Sequence, residues 1–170
     1  MKVLIRKMTL EDVPAVVDLD QKSFSLPWPE RSFRFELTDN PASRCWVAEL
    51  EGKIVGMVVV WLIVNEAHVA TLATHPDFRR QGIATRLLSY ALRQLIEEGA
   101  RSSFLEVRAS NLAAQAMYRK FGYEETGRRQ RYYRDNGEDA ILMSLDSLTT
   151  ERLPWDHERS MLDADENKGR

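Results

Sequence analysis

The sequence predicts a mixed α/β domain of the α+β class, with one central sheet of about seven strands flanked by four helices. Two observations support this class. Apolar runs of strand length alternate with segments whose apolar residues recur at helical spacing. Their order is strand, two helices, three strands, helix, strand, helix and two strands, so the helices are interleaved with hairpins around a single sheet.

Length and composition fit one globular core. The chain has 170 residues, of which 44% are hydrophobic and 29% charged, and its formal net charge of -2 gives no general argument for nucleic acid or an anionic membrane. Cys45 is the only cysteine, so no disulfide can form within the chain. The histidines show no metal-ligand spacing, and we expect no metal. The apolar run 54–64 is about half the length that crosses a bilayer, which makes a cytoplasmic location the default expectation.

The first half of the chain is predicted to form strands and two short helices. The strands cover residues 3–8, 45–50, 53–64 and 67–74, and the helices begin near residues 13 and 30. Between the two helices, the segment F-S-L-P-W-P is a rigid loop, because its two prolines restrict the backbone on either side of Trp28. Strand 53–64 is almost continuously apolar, which is typical of a central strand covered on both faces.

The stretch 71–99 organises the rest of the chain. It is predicted as the end of a strand, a basic glycine turn and a long amphipathic helix that stops at Gly99. A glycine turn at a helix N-terminus leaves backbone N–H groups unpaired at the positive end of the helix dipole. Together with Arg79 and Arg80 this turn could hold a phosphate group, or it could be an ordinary turn with solvated arginines.

The second half is predicted to contain three strands and one helix. The strands cover 103–109, 123–133 and 140–145, the helix follows Asn111, and the last two strands form a hairpin with an Asn-Gly turn. The composition changes near residue 148 and becomes polar without periodicity. We therefore expect a domain over residues 1–148 and a C-terminal tail over 149–170, which is either mobile or a short surface helix.

Two ionisable residues stand out as candidates for chemistry. Glu106 lies in a short apolar strand, where a buried carboxylate without a partner is costly, and the alternative is that it faces solvent. Tyr118 lies on the following helix and is either a proton donor or a half-buried core residue. The basic run 128–134 allows three interpretations, a wall of a substrate groove, ordinary strand alternation or, ranked last, nucleic-acid binding.

Taken together, these features resemble the GNAT superfamily of acetyl-CoA-dependent N-acetyltransferases, over residues 1–147. The superfamily's signature Q/R-x-x-G-x-G/A is present as R-R-Q-G-I-A at residues 79–84. Within the superfamily the chain is similar to the RimI type, the bacterial ribosomal-protein-alanine N-acetyltransferases. Three stretches carry this likeness: F-S-L-P-W, L-E-V-R-A-S-N-L-A-A-Q-A-M-Y-R-K-F-G-Y, and R-R-Q-R-Y-Y followed by E-D-A-I-L-M.

The resemblance implies a fold and a set of roles. It implies a single domain with a mostly antiparallel sheet, acetyl-CoA as co-substrate and no metal. Glu106 would be the general base and Tyr118 the general acid. The residues implied to bind acetyl-CoA are Leu72, Ala73, Thr74, Arg79, Arg80, Gln81, Gly82, Ile83, Ala84, Thr85 and Asn111. Those implied to border the acceptor groove are Trp28, Tyr132 and Tyr133.

The implied acceptor is the N-terminal amine of a protein, with alanine first, such as a small-subunit ribosomal protein. An α-amine with a pKa near ~8 is roughly 300-fold more often neutral at pH 7 than a lysine with a pKa of ~10.4. The alternatives are acetylation of a small-molecule amine or a protein lysine, or binding of acetyl-CoA without catalysis. We expect neither nucleic-acid nor membrane partners, and a monomer or weak homodimer.

Overall fold

One seven-stranded sheet forms the centre of the computed structural model, which describes residues 2–154. The strands are β1 (Leu4–Lys7), β2 (Ser43–Leu50), β3 (Lys53–Ile63), β4 (Glu66–Thr74), β5 (Ser102–Arg108), β6 (Glu124–Arg129) and β7 (Ala140–Leu145). The helices are α1 (Val13–Ser23), α2 (Glu30–Thr38), α3 (Ile83–Glu97) and α4 (Leu112–Phe121). The sheet order is β1-β2-β3-β4-β5-β7-β6, and only the β4–β5 pair is parallel. The predicted class and the mostly antiparallel sheet are confirmed.

The helices cover the sheet from both sides. Helices α3 and α4 pack with β4, β5 and β7 in the larger apolar cluster, and α1 and α2 pack on β2 and β3 in the smaller one. Strand β3 contributes to both clusters, and six consecutive residues of it are buried. The continuous apolar run of β3 therefore reflects its position between two helical layers.

Helix α3 approaches β3 very closely at Gly56. A Cβ atom at this position would lie 2.8 Å from Leu87 Cδ1, 3.0 Å from Ile83 Cγ2 and 3.2 Å from the Ala73 carbonyl oxygen. Leu87 and Ile83 are fully buried, so they have little room to move. The absence of a side chain at Gly56 thus sets where the first turn of α3 lies against the sheet.

Gly56→Ala is expected to lower the free energy of unfolding by about 1–3 kcal/mol, because the added methyl group overpacks this contact. Urea denaturation monitored by circular dichroism measures the change. The matched control is Gly127→Ala in β6, whose added Cβ would meet its nearest neighbour, Leu142 Cδ1, at an ordinary 3.5 Å. Equal stability of the two variants would contradict the proposed close contact.

Strands β4 and β5 pair for only part of their length and then separate. Their last paired residues are Val69 and Leu105. On the other edge of β4 the register shifts at the same place, since Val60 faces Val69 while Val59 faces Thr71. Ala70 is therefore a β-bulge, which bends β4 and increases its twist. The remainder of β4 diverges from β5 and leaves a cleft between the two strands.

The predicted strand 123–133 was too long. Strand β6 ends at Arg129, and Arg131 has a left-handed backbone with φ of 52°, which is incompatible with continued pairing. Tyr132 and Tyr133 therefore lie in the loop 130–139. The predicted turn at 135–137 exists inside this loop, where Gly137 N–H donates to the Tyr133 carbonyl oxygen at 2.8 Å. The other predicted strand boundaries agree with the structure to within two residues.

The end of the described chain packs on the domain. Leu148 is buried, and Leu153 contacts the larger apolar cluster after a short 3-10 turn at Thr150–Arg152. The rest of the predicted tail, residues 155–170, lies outside the described residues. No helix within residues 2–154 is long and apolar enough to cross a membrane.

Candidate active site

The cleft between β4 and β5 contains two adjoining cavities. The α4-side cavity, of about 470 Å³, includes Asn111, Ala114 and Tyr118 in its wall. The β6-side cavity, of about 640 Å³, includes Thr126 and Arg129. Both cavities are lined by Trp28, Val69, Ala70, Leu105, Glu106 and Tyr133. Within the described residues, Glu106 is the one carboxylate that lines both.

Strand alternation places Glu106 in the cleft. Its neighbours Leu105 and Val107 are buried in the core below the sheet, so Glu106 points to the opposite face. Its side chain is 33% exposed. This agrees with the alternative prediction that Glu106 faces solvent, but the solvent that it faces lies in the cleft itself. The carboxylate forms an ion pair with Arg129, with 3.0 Å between Glu106 Oε1 and Arg129 Nε. It also raises the pKa of Tyr132, because hydrogen bonding to the carboxylate and its negative charge both favour the protonated phenol.

Tyr118 is a buried phenol in the wall of the α4-side cavity. Its ring packs edge-on against Tyr123, with 5.7 Å between the ring centroids, and only 7% of the residue is exposed. Burial raises the pKa of Tyr118 above the ordinary tyrosine range, because the phenolate would be poorly solvated. The hydroxyl therefore stays protonated at neutral pH, and the wall of the cavity includes a neutral phenol.

The glycine turn lies beyond the end of β4, at the N-terminus of α3. Gly82 has a left-handed backbone with φ of 79° and precedes the helix. The first helical hydrogen bond is donated by Arg86 N–H to the Gly82 carbonyl oxygen at 3.0 Å, and within residues 2–154 no side chain caps the helix. The amides of residues 83–85 therefore have no intrahelical partner. The side chain of Ile83 is buried, so this residue offers only its amide.

Two further observations near this turn fit an anionic ligand. Thr74 Oγ1 is buried and has no hydrogen-bond partner within the described part of the chain. A Cβ placed on Gly82 would meet no atom within 4 Å, so the space beside the turn is open. Arg79 and Arg80 are exposed, and Arg79 Nε lies 3.5 Å from the Thr74 carbonyl oxygen. The turn thus combines free amides, two cations and an unpaired hydroxyl.

The remaining predicted binding residues divide between the cleft and its far end. Leu72 lines the α4-side cavity, whereas Ala73 is buried at the β4 end. Asn111 also lines this cavity, and its Oδ1 accepts the Ala114 N–H at 3.2 Å. Asn111 therefore caps α4 through its side chain. The other residues of the turn, including Gln81, Ala84 and Thr85, lie outside both cavities.

The loop that carries Trp28 is held by a residue that the motifs do not predict. Asp20 of α1 is 1% exposed, lines the α4-side cavity and accepts the Trp28 backbone N–H at 2.7 Å. Burial raises the pKa of Asp20, and the bond from Trp28 opposes this shift. A signal in the sequence is its spacing, because Asp20 follows Val16 by one helical turn and therefore lies on the apolar face of α1.

Asp20→Asn is expected to be at least as stable as the wild type at about pH 7. The raised pKa means that the folded state loses stability as pH rises from the ordinary aspartate range, near ~3.9, through the folded-state value. Asparagine removes this ionisation and keeps an oxygen for the Trp28 N–H. The difference in Tm between Asp20→Asn and the wild type should therefore shrink below about pH 4. Thermal melts of both proteins from about pH 3 to pH 7 measure this difference.

The matched control is Asp18→Asn on the exposed side of α1. Its hydrogen bond with Lys22, at 2.8 Å, lowers the pKa of Asp18, so its ionised form favours the folded state. This variant should not raise Tm at any pH. A Tm difference between Asp20→Asn and the wild type that does not change with pH would contradict ionisation of Asp20 as its cause.

A family profile described as acetyltransferase (GNAT) family matches residues 13–123. The chain belongs to this family. GNAT membership makes it an N-acetyltransferase, and the resemblance drawn from the signature turn and the RimI-like stretches is confirmed.

The aligned regions cover almost the whole length of several relatives. The [ribosomal protein bS18]-alanine N-acetyltransferase of Escherichia coli (strain K12) is 33% identical over 152 residues, which cover 83% of this chain and 95% of that protein. A Bacillus subtilis (strain 168) protein with a provisional assignment to the same activity is 39% identical over 142 residues, covering 84% of this chain and 94% of its own.

Solved GNAT structures share the fold. The crystal structure of the ribosomal-protein-S18-alanine N-acetyltransferase from Escherichia coli has a TM-score of 0.79 and 31% identity, covering 90% of this chain and 99% of that one. Ard1 from Thermoplasma volcanium has a TM-score of 0.80 and 26% identity, covering 88% of this chain and 100% of its own.

Proposed function

We propose that this GNAT enzyme acetylates the N-terminal α-amine of a cytoplasmic protein whose first residue is alanine, such as the ribosomal protein bS18. The relatives named above supply the acceptor class. The observation that carries the proposal is the position of Glu106, the carboxylate shared by a cavity that reaches α4 and a cavity that opens between aromatic side chains. Such a carboxylate can serve a reaction between two substrates that approach from opposite sides.

The described residues fit acetyl-CoA as the acyl donor. Acetyl-CoA supplies an acetyl thioester, a diphosphate and an extended pantetheine arm. The edge of β4 at Leu72, Ala73 and Thr74, freed from β5 by the bulge, can pair with that arm as an added strand would. The amides of the glycine turn and the unpaired Thr74 hydroxyl suit the diphosphate. Asn111 would hold the arm further along.

Each catalytic side chain moves one proton in this mechanism. Glu106 accepts the proton that the attacking amine releases, directly or through a water molecule. Arg129 holds the Glu106 carboxylate in the cleft by its ion pair, and Tyr132 interacts with the same carboxylate. Tyr118 donates the proton from its buried hydroxyl to the departing sulfur. Because the amine attacks the thioester directly, no covalent enzyme intermediate is needed, and burial raises the pKa of Cys45 to about 11, which makes it a poor nucleophile.

The acceptor would enter through the β6-side cavity. Trp28 and Tyr133 line both cavities, and Tyr132 lines the β6-side cavity beside Glu106. Aromatic side chains on two loops can enclose the first residues of an extended peptide. An α-amine also suits this site chemically, because at neutral pH it is neutral far more often than a lysine amine.

A peptide that begins Ala-Arg and contains an internal lysine tests the proposal. Mixed with the enzyme and acetyl-CoA, it should release CoA, and fragmentation by mass spectrometry should place the acetyl group on the α-amine. The control is the same peptide with a blocked N-terminus, which should not react. Acetylation of the lysine, or turnover of only polyamines or free amino acids, would refute the assigned acceptor. Thermal stabilisation by acetyl-CoA without turnover of any amine would refute catalysis.

A further inference from the structure

Three separate segments meet at Arg108, at the end of β5. Its guanidinium group donates two hydrogen bonds to the Asp135 carboxylate, each at 3.0 Å, and one to Ser25 Oγ at 3.2 Å. Ser25 in turn donates a short hydrogen bond to Asp135. Ser25 belongs to the loop between α1 and α2, and Asp135 to the loop between β6 and β7. We call these three residues the Arg108 clamp.

The environment of the clamp favours its ion pair. The Arg108 guanidinium carbon lies 4.0 Å from the centroid of the Tyr133 ring, a cation–π contact. The side chains of Arg108 and Asp135 are only 19% and 23% exposed. The hydrogen bond from Ser25 and those from Arg108 lower the pKa of Asp135 to about 2, so its charge persists at all physiological pH values. A two-pronged arginine–carboxylate contact has a defined geometry as well as a favourable energy.

The clamp connects the two loops that carry the aromatic residues of the acceptor groove. Trp28 lies three residues after Ser25, and Tyr132 and Tyr133 lie shortly before Asp135. Arg108 is also two residues from Glu106 on the same face of β5, so the clamp is anchored to the strand that carries the proposed base. The clamp therefore connects both aromatic loops to the strand that carries Glu106.

We propose that the Arg108 clamp pre-organises the acceptor site, with Arg108 acting as a positioning residue that holds the Trp28 loop and the Tyr132–Tyr133 loop in their binding arrangement. This inference rests on the proposed function. Loops ordered before binding lose less entropy when the acceptor arrives, so the affinity for the acceptor is higher. Arg108 and Ser25 line the α4-side cavity together with Leu72 and Asn111, but the clamp's hydrogen bonds involve neither the edge of β4 nor the glycine turn, so acetyl-CoA binding should not depend on the clamp.

The test uses the full chain with the variants Arg108→Met and Asp135→Asn, alone and combined. Arg108→Met and Asp135→Asn should each raise KM for the Ala-Arg peptide about fivefold or more, which corresponds to the net loss of roughly one ordinary hydrogen bond. KM for acetyl-CoA should stay within about twofold. The double variant should be no worse than Arg108→Met alone, because the two residues act as a unit. Arg108→Lys should raise KM for the peptide less than Arg108→Met does, since lysine keeps the positive charge but cannot make the two-pronged contact of a guanidinium group.

The matched control is Arg44→Met. Arg44 makes a comparable two-pronged contact with Glu98, with side-chain exposures of 30% and 42%, and neither residue lines the α4-side or the β6-side cavity. Removing it should leave both KM values unchanged. The proposal would be overturned if Arg44→Met and Arg108→Met changed KM for the peptide equally. It would also be overturned if the effects of Arg108→Met and Asp135→Asn on this KM were additive in the double variant.

Amide hydrogen exchange supplies a readout that needs no acceptor. Asp135→Asn should accelerate exchange in residues 24–28, although Ser25 and Asp135 are 110 positions apart in the chain. Unchanged exchange in that segment would overturn the clamp. If the wild-type enzyme fails to acetylate the peptide while this coupling is present, the acceptor assignment fails and the clamp stands.

Discussion

Glu106→Gln is expected to lower kcat by about 10²–10³-fold and to leave the Kd for acetyl-CoA within about twofold. Glutamine keeps the shape of the side chain and an oxygen on the side of Arg129 and Tyr132, but it cannot take a proton from the amine. The loss should therefore appear in the chemical step. Steady-state kinetics with the Ala-Arg peptide measure kcat, and isothermal titration calorimetry measures Kd.

The control for this variant is Glu125→Gln in β6. Glu125 also pairs with an arginine, Arg128, at 2.9 Å, but it lines neither cavity. Its replacement should leave kcat unchanged. The rate of Glu106→Gln should rise with pH up to the α-amine pKa near ~8, since more of the acceptor is then neutral without help from a base. A wild-type rate in Glu106→Gln would remove this residue from the mechanism.

Gly82→Asp should weaken acetyl-CoA binding by about 100-fold, or ~2.7 kcal/mol. The added carboxylate would lie beside the turn amides that we assign to the diphosphate, where like charges repel strongly. The helix itself should tolerate the change. A Cβ at this position meets no atom within 4 Å, aspartate is among the less strained side chains at a positive φ, and it is a favourable N-cap.

Gly82→Asn separates charge from shape. Asparagine has nearly the same size, also adopts the left-handed conformation and also caps helices, so its Kd should rise only a few-fold. Titration calorimetry at two salt concentrations should show that the penalty of the aspartate variant shrinks as salt rises. Equal losses for both variants would mean that the bulk of the side chain is responsible, and normal binding in both would place the diphosphate elsewhere.

The local elements of this fold follow from the sequence because their causes are local. The apolar face of α3, the left-handed Gly82 before it and the glycine after it depend on residues within a few positions of one another. The continuous apolar run of β3 likewise predicts a strand covered on both faces. Glu106 could be singled out because a lone carboxylate in an apolar strand requires an explanation.

The length of the last hairpin could not be predicted in the same way. The run from Tyr123 to Tyr133 begins and ends with tyrosine, a residue enriched in strands, but the pairing stops at Arg129. The following loop is held by contacts with the end of β5 and the residue after it, among them the ion pair of Arg108 with Asp135 and the bond from Ala109 N–H to the Asp139 carbonyl oxygen at 3.0 Å. Such contacts depend on the position of another strand, which propensity does not encode.

By itself, then, the sequence determined the order and type of the elements, the glycine turn and the candidate pair Glu106 and Tyr118. Only the tertiary structure decided where β4 leaves β5, that Arg129 and Tyr132 bind Glu106, and that Asp20 and the Arg108 clamp hold the aromatic loops. The physical reason is one of range. Helix periodicity and turn conformation arise from neighbouring residues, whereas a bulge in one strand and a hydrogen bond between distant loops arise from register and packing that exist only once the chain has folded.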